Sequence, residues 1–262
     1  MRKYNLVIYT ESKNNNTYIY QIFQNMLVLK KLRNLWCRLS WSIPYLPWSI
    51  YLNFHYLPFY QAIKLPILVS KPNFVKLGGK IKIEGVIYTG MIELGRHSVS
   101  TYPQHGIMID NSGTIIFKGR CLIRSGAKIS VGEKGTLTIG NNFKASAENK
   151  FICYKAVTLG DNVRMGWESM LMDTNFHQTL DSNGNPHGRP YAPISIGDYC
   201  WLGFRTVCMP NTRIPNKCIL ASNSLANKNY DIEEYSLLAG SPAKVKATGI
   251  WRDPANDKVI YI

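Results

Sequence analysis

The sequence of 262 residues has almost no acidic residues in its first third, where 11 basic residues accompany the single acid Glu11. Residues 81–262 carry 20 basic and 15 acidic residues, so the formal net charge of +15 comes mainly from the N-terminal part. A hydrophobic content of 45% against 18% charged residues excludes disorder along the whole chain. No nucleic-acid-binding motif accompanies the basic excess, so a nucleic-acid partner is not expected.

The sequence also lacks an uninterrupted apolar run and any closely paired cysteines. The longest uncharged stretch, Leu39–Ile63, contains Pro44, Pro47 and Pro58. Proline removes backbone donors that hydrocarbon cannot replace, which disfavours a simple membrane-spanning helix. The six cysteines form no CxxC pair, and no signal peptide is recognised before them. Reduced thiols in a cytoplasmic protein are therefore predicted.

Residues 1–80 are predicted to form a basic, aromatic-rich extension. Apolar residues recur at helical spacing from Tyr18 to about Ser40 with lysines and arginines between them, which predicts a basic amphipathic helix. An aromatic stretch interrupted by prolines follows it. Trp and Tyr suit a membrane interface and suit packing against a neighbouring domain equally well. The extension is therefore expected either to associate peripherally with the inner face of the cytoplasmic membrane or to form a packed cap.

From about Ile81 the sequence consists of short β-rich segments that end in glycine and recur at a nearly fixed period, which is the signature of a solenoid. The clearest unit is a run of hexads whose lead residues are Ile196, Leu202, Cys208, Ile214, Leu220 and Ala226. The fifth residues of these hexads are small, namely Cys200, Thr206, Thr212, Cys218 and Ser224. One inward apolar residue per hexad and a small residue near each corner predict a triangular coil. We expect an all-β solenoid over residues 81–247 and a C-terminal tail over 248–262.

The hexad phase breaks over residues 176–193, which are rich in Asn, Gly, Pro and His. An insertion of this length does not fit within a close-packed coil, so it is predicted to project from a corner as an extended loop. Loops on rigid scaffolds commonly carry binding or catalytic residues. The loop is therefore the first place to look for a site.

The motifs from Ile139 to Lys246 resemble those of the left-handed β-helix hexapeptide-repeat acyltransferases, of the galactoside and maltose O-acetyltransferase type and of bacterial surface-polysaccharide O-acetyltransferases. The resemblance implies a left-handed parallel β-helix and an O-acetyltransferase of polysaccharide biosynthesis that takes acetyl-CoA as co-substrate and requires no metal. It also implies a homotrimer with sites between subunits and a sugar or oligosaccharide acceptor, free or lipid-linked. An amino-sugar N-acetyltransferase and a catalytically silent trimeric scaffold are the alternatives.

The resemblance places a catalytic histidine at His177, where the loop leaves the coil. A neutral imidazole would remove the proton of an acceptor hydroxyl as the hydroxyl attacks a thioester carbonyl, and the ordinary pKa of histidine, about 6.5, suits this role. Asp173 would orient that imidazole, line the acceptor pocket or satisfy backbone amides of the loop. The other histidines, which are His55, His97, His105 and His187, are expected to be structural.

The same resemblance assigns two further sets of residues. Those expected to bind the co-substrate are Trp201, Gly203, Ala221, Ser222, Lys228 and Lys244. Small residues would let backbone amides approach a thin extended arm, and the lysines would face phosphate oxygens. For any single small residue, coil geometry alone is the competing explanation.

The residues expected near the acceptor are Ser146, Glu168 and Asn175. Ser146 stands where the resembled proteins have Asn, so the identity of the acceptor does not carry over.

Overall fold

The computed structural model describes residues 39–256 together with Lys30 and Trp36. The helix predicted from residue 18 to about residue 40 thus lies almost wholly outside the described residues. The chain divides into two compact units, residues 1–43 and 44–262, and the second contains every strand. The described helices are a 3-10 helix Ser40–Tyr45, α1 (Leu46–Tyr56) and α2 (Phe59–Ala62).

The strands form three stacked sheets whose members are parallel, with one antiparallel strand at the end of the first sheet. The nine-stranded sheet contains β1 (Ile67–Val69), β4 (Ile92–Arg96), β7 (Cys121–Arg124), β10 (Phe143–Ala145), β13 (Arg164–Met165), β18 (Trp201–Leu202), β21 (Ile219–Leu220), β23 (Leu237–Gly240) and the antiparallel β24 (Ala243–Ala247). The seven-stranded sheet contains β2 (Pro72–Lys76), β5 (Ile107–Asn111), β8 (Ala127–Val131), β11 (Lys150–Cys153), β14 (Met170–Met172), β19 (Val207–Cys208) and β22 (Leu225–Ala226). The six-stranded sheet contains β3 (Lys80–Ile83), β6 (Thr114–Phe117), β9 (Thr136–Ile139), β12 (Ala156–Leu159), β17 (Ile194–Ile196) and β20 (Arg213–Ile214).

Successive strands along the chain visit the three sheets in turn, so each coil is a triangle with one strand per side. The predicted lead residues of the hexads all point into the core, where each is at most 1% exposed. The small fifth residues are buried as well, because bulk at these positions would collide with the neighbouring coil. The predicted all-β solenoid of the left-handed parallel β-helix class is confirmed.

Corners of the coils are made by residues with positive φ stacked in columns. One such column contains Asn142, Asn162, Tyr199, Lys217 and Tyr235, with φ between 55° and 64°. Asparagine tolerates this left-handed region better than other non-glycine residues, whereas tyrosine and lysine are held there by the coil. Backbone hydrogen bonds run down the column, for example from Tyr199 N to Asp161 O at 2.8 Å.

The solenoid begins earlier than the sequence predicted. Strands β1 and β2 precede Ile81 and pair with β4 and β5, so the first coil starts at Ile67. Its first strand, Ile67–Leu68–Val69, is buried on both faces, and the strand therefore shows neither the alternation nor the closing glycine of later coils. Among the described residues, no helix is long and apolar enough to cross a membrane. The described cysteines are free and buried, and burial raises the pKa of the Cys208 thiol to about 12.

Candidate active site

His177 stands at the start of the predicted loop, which leaves β14 and returns to β17. The base of the loop is closed by an antiparallel bridge between Thr174 and Tyr191, and the Thr174 hydroxyl donates to Pro190 O at 3.2 Å. Phe176 has a φ of 59°, and its ring packs edge-on against Tyr154 at 4.9 Å between centroids. These contacts hold the backbone immediately before the imidazole, so His177 projects from a fixed base.

Beyond its base, the loop is a short exposed hairpin formed by β15 (Thr179–Leu180) and β16 (Pro186–His187). The Asp181 carboxylate accepts the backbone amides of Asn183 and Asn185 at 2.9 and 2.8 Å and shapes the turn. These hydrogen bonds hold the pKa of Asp181 below its usual value, with the amide of Asn185 as the largest cause. The predicted projecting loop is therefore an ordered hairpin.

Histidine side chains in this protein differ in whether their ring nitrogens are engaged. His55 Nε2 lies 2.8 Å from Leu77 O, and His97 Nε2 lies 2.9 Å from Tyr102 O. His105 Nδ1 lies 2.8 Å from the Glu148 carboxylate. The rings of His177 and His187 have no hydrogen bond within the part of the chain that the structure describes. Three histidines thus serve local structure, and the two on the hairpin face solvent.

Asp173 is fully buried, and both oxygens of its carboxylate are used by the backbone. Oδ1 accepts the amide of Tyr154 at 2.7 Å, and Oδ2 accepts those of Lys155 and Ala156 at 2.8 and 2.7 Å. No hydrogen bond joins the Asp173 carboxylate to the His177 ring among the described residues. Of the three roles considered for Asp173, the contacts favour the satisfaction of backbone amides, here in the turn between β11 and β12.

A cavity of about 520 Å³ opens at the corner where the nine-stranded sheet leads into the seven-stranded sheet. It is lined by Ser146, Gly166, Trp167, Trp201, Phe204, Ser222 and Arg252. Three residues expected from the sequence, Ser146, Trp201 and Ser222, are therefore brought together. Two indole rings and a phenyl ring provide apolar walls, two hydroxyls provide hydrogen-bonding groups, and one guanidinium provides a positive charge.

Small residues form a column beside this cavity. The amide of Ser146 donates to Met165 O, that of Gly203 to Leu220 O and that of Ala221 to Leu238 O, so the column runs from coil to coil. A side chain at Gly203 would lie only 2.8 Å from Ser222 N. The glycine is therefore required for the close approach of two coils, which is the geometric explanation considered above.

The expected cations lie on different faces. Lys244 pairs with Ala239 on the antiparallel strand β24, which extends the sheet that carries the cavity. Lys228 lies instead beside Arg213 of the six-stranded sheet, and its ammonium sits 5.4 Å from the Tyr230 ring centroid. The guanidinium of Arg252, which the sequence did not single out, stacks over Trp201 at 4.8 Å from the ring centroid.

Glu168 occupies the corner next to the cavity and is engaged by two neighbours. Its carboxylate accepts the Tyr102 hydroxyl at 2.6 Å and the Arg205 Nε at 2.6 Å. The Tyr102 hydrogen bond and then that of Arg205 hold the pKa of Glu168 below its usual value. Asn175 is exposed at the loop base, where its backbone amide donates to Pro190 O at 2.7 Å. Neither residue lines the cavity.

The sequence interpretation missed Trp167, Phe204 and Arg252. Trp167 and Phe204 are equivalent corner residues of successive coils, and the amide of Arg205 donates to Trp167 O at 2.9 Å. Aligning Gly166–Trp167–Glu168 with Gly203–Phe204–Arg205 across the inserted loop would have found both. Arg252 has no such signal, because it belongs to the tail, where Ile250 N donates to Tyr235 O.

His177 and the cavity belong to different corners of one chain. The hairpin connects β14 of the seven-stranded sheet to β17 of the six-stranded sheet, so it leaves the corner between these two. The cavity residues Trp167, Phe204 and Ser222 lie at the corner between the nine-stranded and the seven-stranded sheet. The seven-stranded side of the triangle therefore lies between the two corners.

Comparison with known proteins agrees with the motifs. No family model matches the chain. A galactoside O-acetyltransferase of Escherichia coli (strain K12) is 31% identical over 109 residues, covering 41% of this chain and 51% of that protein. A putative lipopolysaccharide biosynthesis O-acetyl transferase of the same strain, WbbJ, is 24% identical over 147 residues, covering 52% and 73%. Among solved structures, a maltose O-acetyltransferase from Clostridium difficile 630 aligns with a TM-score of 0.38 at 17% identity, over 82% of this chain and 89% of that chain.

The chain spans about half the length of the galactoside O-acetyltransferase that it matches. The resemblance to hexapeptide-repeat acyltransferases drawn from the motifs is confirmed by these relatives.

Proposed function

We propose that this chain is a cytoplasmic O-acetyltransferase that transfers the acetyl group of acetyl-CoA to a sugar hydroxyl in surface-polysaccharide biosynthesis. The observation that carries the proposal is that one chain holds both the Trp201 cavity and an exposed His177 on a fixed loop base, with no hydrogen bond to the His177 ring from any described residue. Two relatives named O-acetyltransferases, one of them for lipopolysaccharide biosynthesis, support the reaction class and the role.

His177 would act as the general base. Its imidazole is exposed and makes no hydrogen bond within the described chain, so a lone pair is available to an acceptor hydroxyl. Removing that proton during attack makes the sugar oxygen a competent nucleophile, and the imidazolium can return the proton to the departing thiolate. Transfer is direct, without an acyl-enzyme, because no Ser or Cys nucleophile is paired with a base there.

The cavity residues fit a thioester carried on a long, thin arm that ends in phosphates. Acetyl-CoA would supply the activated acetyl group. Trp201, Trp167 and Phe204 give apolar walls for such an arm, while the Ser222 hydroxyl and the Arg252 guanidinium give polar contacts. Lys244 lies on the strand that extends the same sheet, within the reach of a ligand that follows the column of small residues.

A homotrimer completes the site in this proposal. The hairpin of His177 and the cavity of Trp201 lie at different corners of the triangular coil, so in a trimer one substrate would meet the hairpin of one chain and the cavity of the next. A cyclic arrangement places the corner of one copy against the nine-stranded face of the next, and the same contact repeats until the ring closes. Three equivalent sites result.

The reaction class is tested by incubating the protein with acetyl-CoA and a panel of nucleotide sugars and polyprenyl-linked oligosaccharides. Mass spectrometry is expected to show an acetyl increment on one acceptor, and mild alkali is expected to remove it, because O-acetyl esters are labile. An alkali-stable increment would assign the reaction to an amine instead. No increment with any acceptor, together with no binding of acetyl-CoA, would support a silent scaffold.

Replacing Trp201 with alanine is expected to raise the Kd for acetyl-CoA by roughly tenfold or more, about 1.4 kcal/mol, because the largest apolar wall of the cavity and the platform for Arg252 are lost. Isothermal titration calorimetry measures this change. Phe59→Ala is the matched control, since Phe59 is 71% exposed on α2 at the β1 end of the nine-stranded sheet, with four strands between β1 and β18, and its loss should not alter Kd. An unchanged Kd in the Trp201 variant would move the binding groove elsewhere.

Mixing two impaired variants tests whether the site is shared, with acetyl-CoA held well below the wild-type Kd so that Trp201→Ala is slowed about tenfold. His177→Ala chains retain Trp201, and Trp201→Ala chains retain His177, so random co-assembly after denaturation and refolding should restore about a quarter of the wild-type sites. Each variant refolded alone is the control and should reach at most about a tenth of the wild-type rate. If the mixture is as inactive as its components, both residues must act within one chain, and the trimeric site is wrong.

A further inference from the structure

Helix α1 buries two polar side chains beside Leu52 and exposes most of its large apolar side chains. Ser49 and Asn53 are fully buried, where they bond to the backbone of β1. The Asn53 amide donates to Ile67 O at 2.7 Å and accepts Ile67 N at 3.1 Å, and the Ser49 hydroxyl accepts Val69 N at 3.1 Å. Because β1 is the edge strand of the nine-stranded sheet, these two side chains satisfy backbone groups that the sheet leaves open.

The opposite side of α1 and the adjoining α2 form an exposed apolar surface. We call this surface the aromatic face, and its members are Trp48 (51% exposed), Tyr51 (50%), Phe54 (47%), Phe59 (71%), Tyr60 (65%) and Ile63 (55%). The rings of Phe54 and Phe59 contact edge-on at 6.1 Å between centroids, which joins the two helices into one surface. A contiguous apolar surface of this kind marks an interaction site.

Basic residues outnumber acidic residues in the sequence around the aromatic face. The segment from residue 44 to residue 83 contains no Asp or Glu. Its five lysines, all exposed, are Lys64, Lys71, Lys76, Lys80 and Lys82. Lys80 and Lys82 line one cavity together with Tyr56, Pro58 and the acid Glu84, so two positive charges and one negative charge lie directly beside the helices.

We propose that the aromatic face is a docking surface for a lipid bilayer that contains anionic lipids. Trp and Tyr prefer the boundary between headgroups and acyl chains, and lysines beside them are attracted to anionic headgroups. The rings and the lysines therefore both fit an anionic bilayer. Helix α1 has 11 residues, too few to cross a bilayer, and therefore lies in the plane of the interface. This docking is separate from the acetyl transfer proposed above, and it brings the chain to a surface where lipid-linked glycans are held.

Co-sedimentation of the full-length protein with vesicles tests the proposal, using phosphatidylcholine with and without about a third of phosphatidylglycerol. The wild type is expected to bind the anionic vesicles, and Trp48→Ser/Phe59→Ser is expected to bind them at least roughly tenfold more weakly, because two anchoring rings are lost. Leu180→Ser is the matched control, since Leu180 is 60% exposed on the hairpin, and its vesicle binding should equal that of the wild type.

A second variant, Lys76→Glu/Lys80→Glu, tests the charge without touching the rings. It should weaken binding at low salt and lose that difference at about 0.5 M salt, where surface charges are screened. Acetyl transfer to a water-soluble acceptor should be unchanged in both double variants, so a failure of docking is distinguished from a failure of the enzyme. Equal binding by all variants would overturn the proposal. A second contrary result would be an equal vesicle-bound fraction for wild type and variants, together with a difference between them in the mass of the protein measured without vesicles. That result would assign the aromatic face to contacts with a second copy of the chain.

Discussion

Replacing His177 with alanine is expected to lower the rate of acetyl transfer by about 10²–10⁴-fold while the protein stays folded and assembled. The imidazole is exposed and makes no hydrogen bond within the described chain, so its removal breaks no structural contact there. The base of the loop is held by Thr174, Phe176 and Tyr191 rather than by the ring. Release of the CoA thiol in the presence of an acceptor measures the rate, and gel filtration measures the assembly.

His187→Ala is the matched control for this prediction. His187 lies in the same hairpin, is exposed, and holds the hairpin through its backbone carbonyl, which accepts the Thr179 hydroxyl at 2.6 Å. Its side chain can be removed without loss of that bond, so turnover close to that of the wild type is expected. Wild-type turnover in His177→Ala would remove His177 from the mechanism, and an equal loss in both variants would indicate that the hairpin as a whole is required.

Replacing Asp173 with alanine is expected to destabilise the fold by roughly 3–6 kcal/mol, because three backbone amides lose the carboxylate that accepts them. The amides belong to the turn between β11 and β12, and Asp173 itself joins the hairpin base, since Ala192 N donates to Asp173 O. Thermal unfolding measures the effect, and a fall in Tm of at least about 6 °C is expected. Activity per folded molecule should fall far less than in His177→Ala.

Asp181→Ala provides the control for the loss of a carboxylate that accepts backbone amides. Asp181 makes similar bonds at the exposed hairpin turn, where water can replace it, so its loss should lower Tm only slightly. An unchanged Tm in Asp173→Ala, together with a large loss of turnover and a shifted pH profile, would contradict the structural role. That result would make Asp173 a positioning residue for the imidazole.

The fold could be predicted from the sequence because the information is local and repeated. Each lead residue, from Ile196 to Ala226, sits six residues from the next, and each is buried at the same place in its coil. Few folds other than a triangular coil bury one residue in every six along the chain. The first coil escaped prediction, since Ile67–Leu68–Val69 is buried on both faces and the strand therefore carries no alternation.

The candidate site could be predicted only in part. The resemblance to hexapeptide-repeat acyltransferases proposed His177, at the long break in the hexads, and Trp201, in a motif within a coil. Trp167 and Phe204 lie beside Trp201 because successive coils stack in register. The hairpin is inserted between Trp167 and Phe204, so these two residues are not separated by the regular repeat along the sequence. Arg252 reaches Trp201 from the tail, a contact between residues that no local pattern connects.

The sequence by itself determined the solenoid, the position of the projecting hairpin and the concentration of positive charge in the N-terminal third, because each follows from composition or from spacing along the chain. Only the tertiary structure decided that the Asp173 carboxylate is used by backbone amides and that the His177 hairpin and the Trp201 cavity lie at different corners of the coil. It also decided that α1 turns Ser49 and Asn53 inward and Trp48 outward. The physical reason is that a polar side chain is buried where a backbone group needs a partner, and the open edge of β1 is such a place.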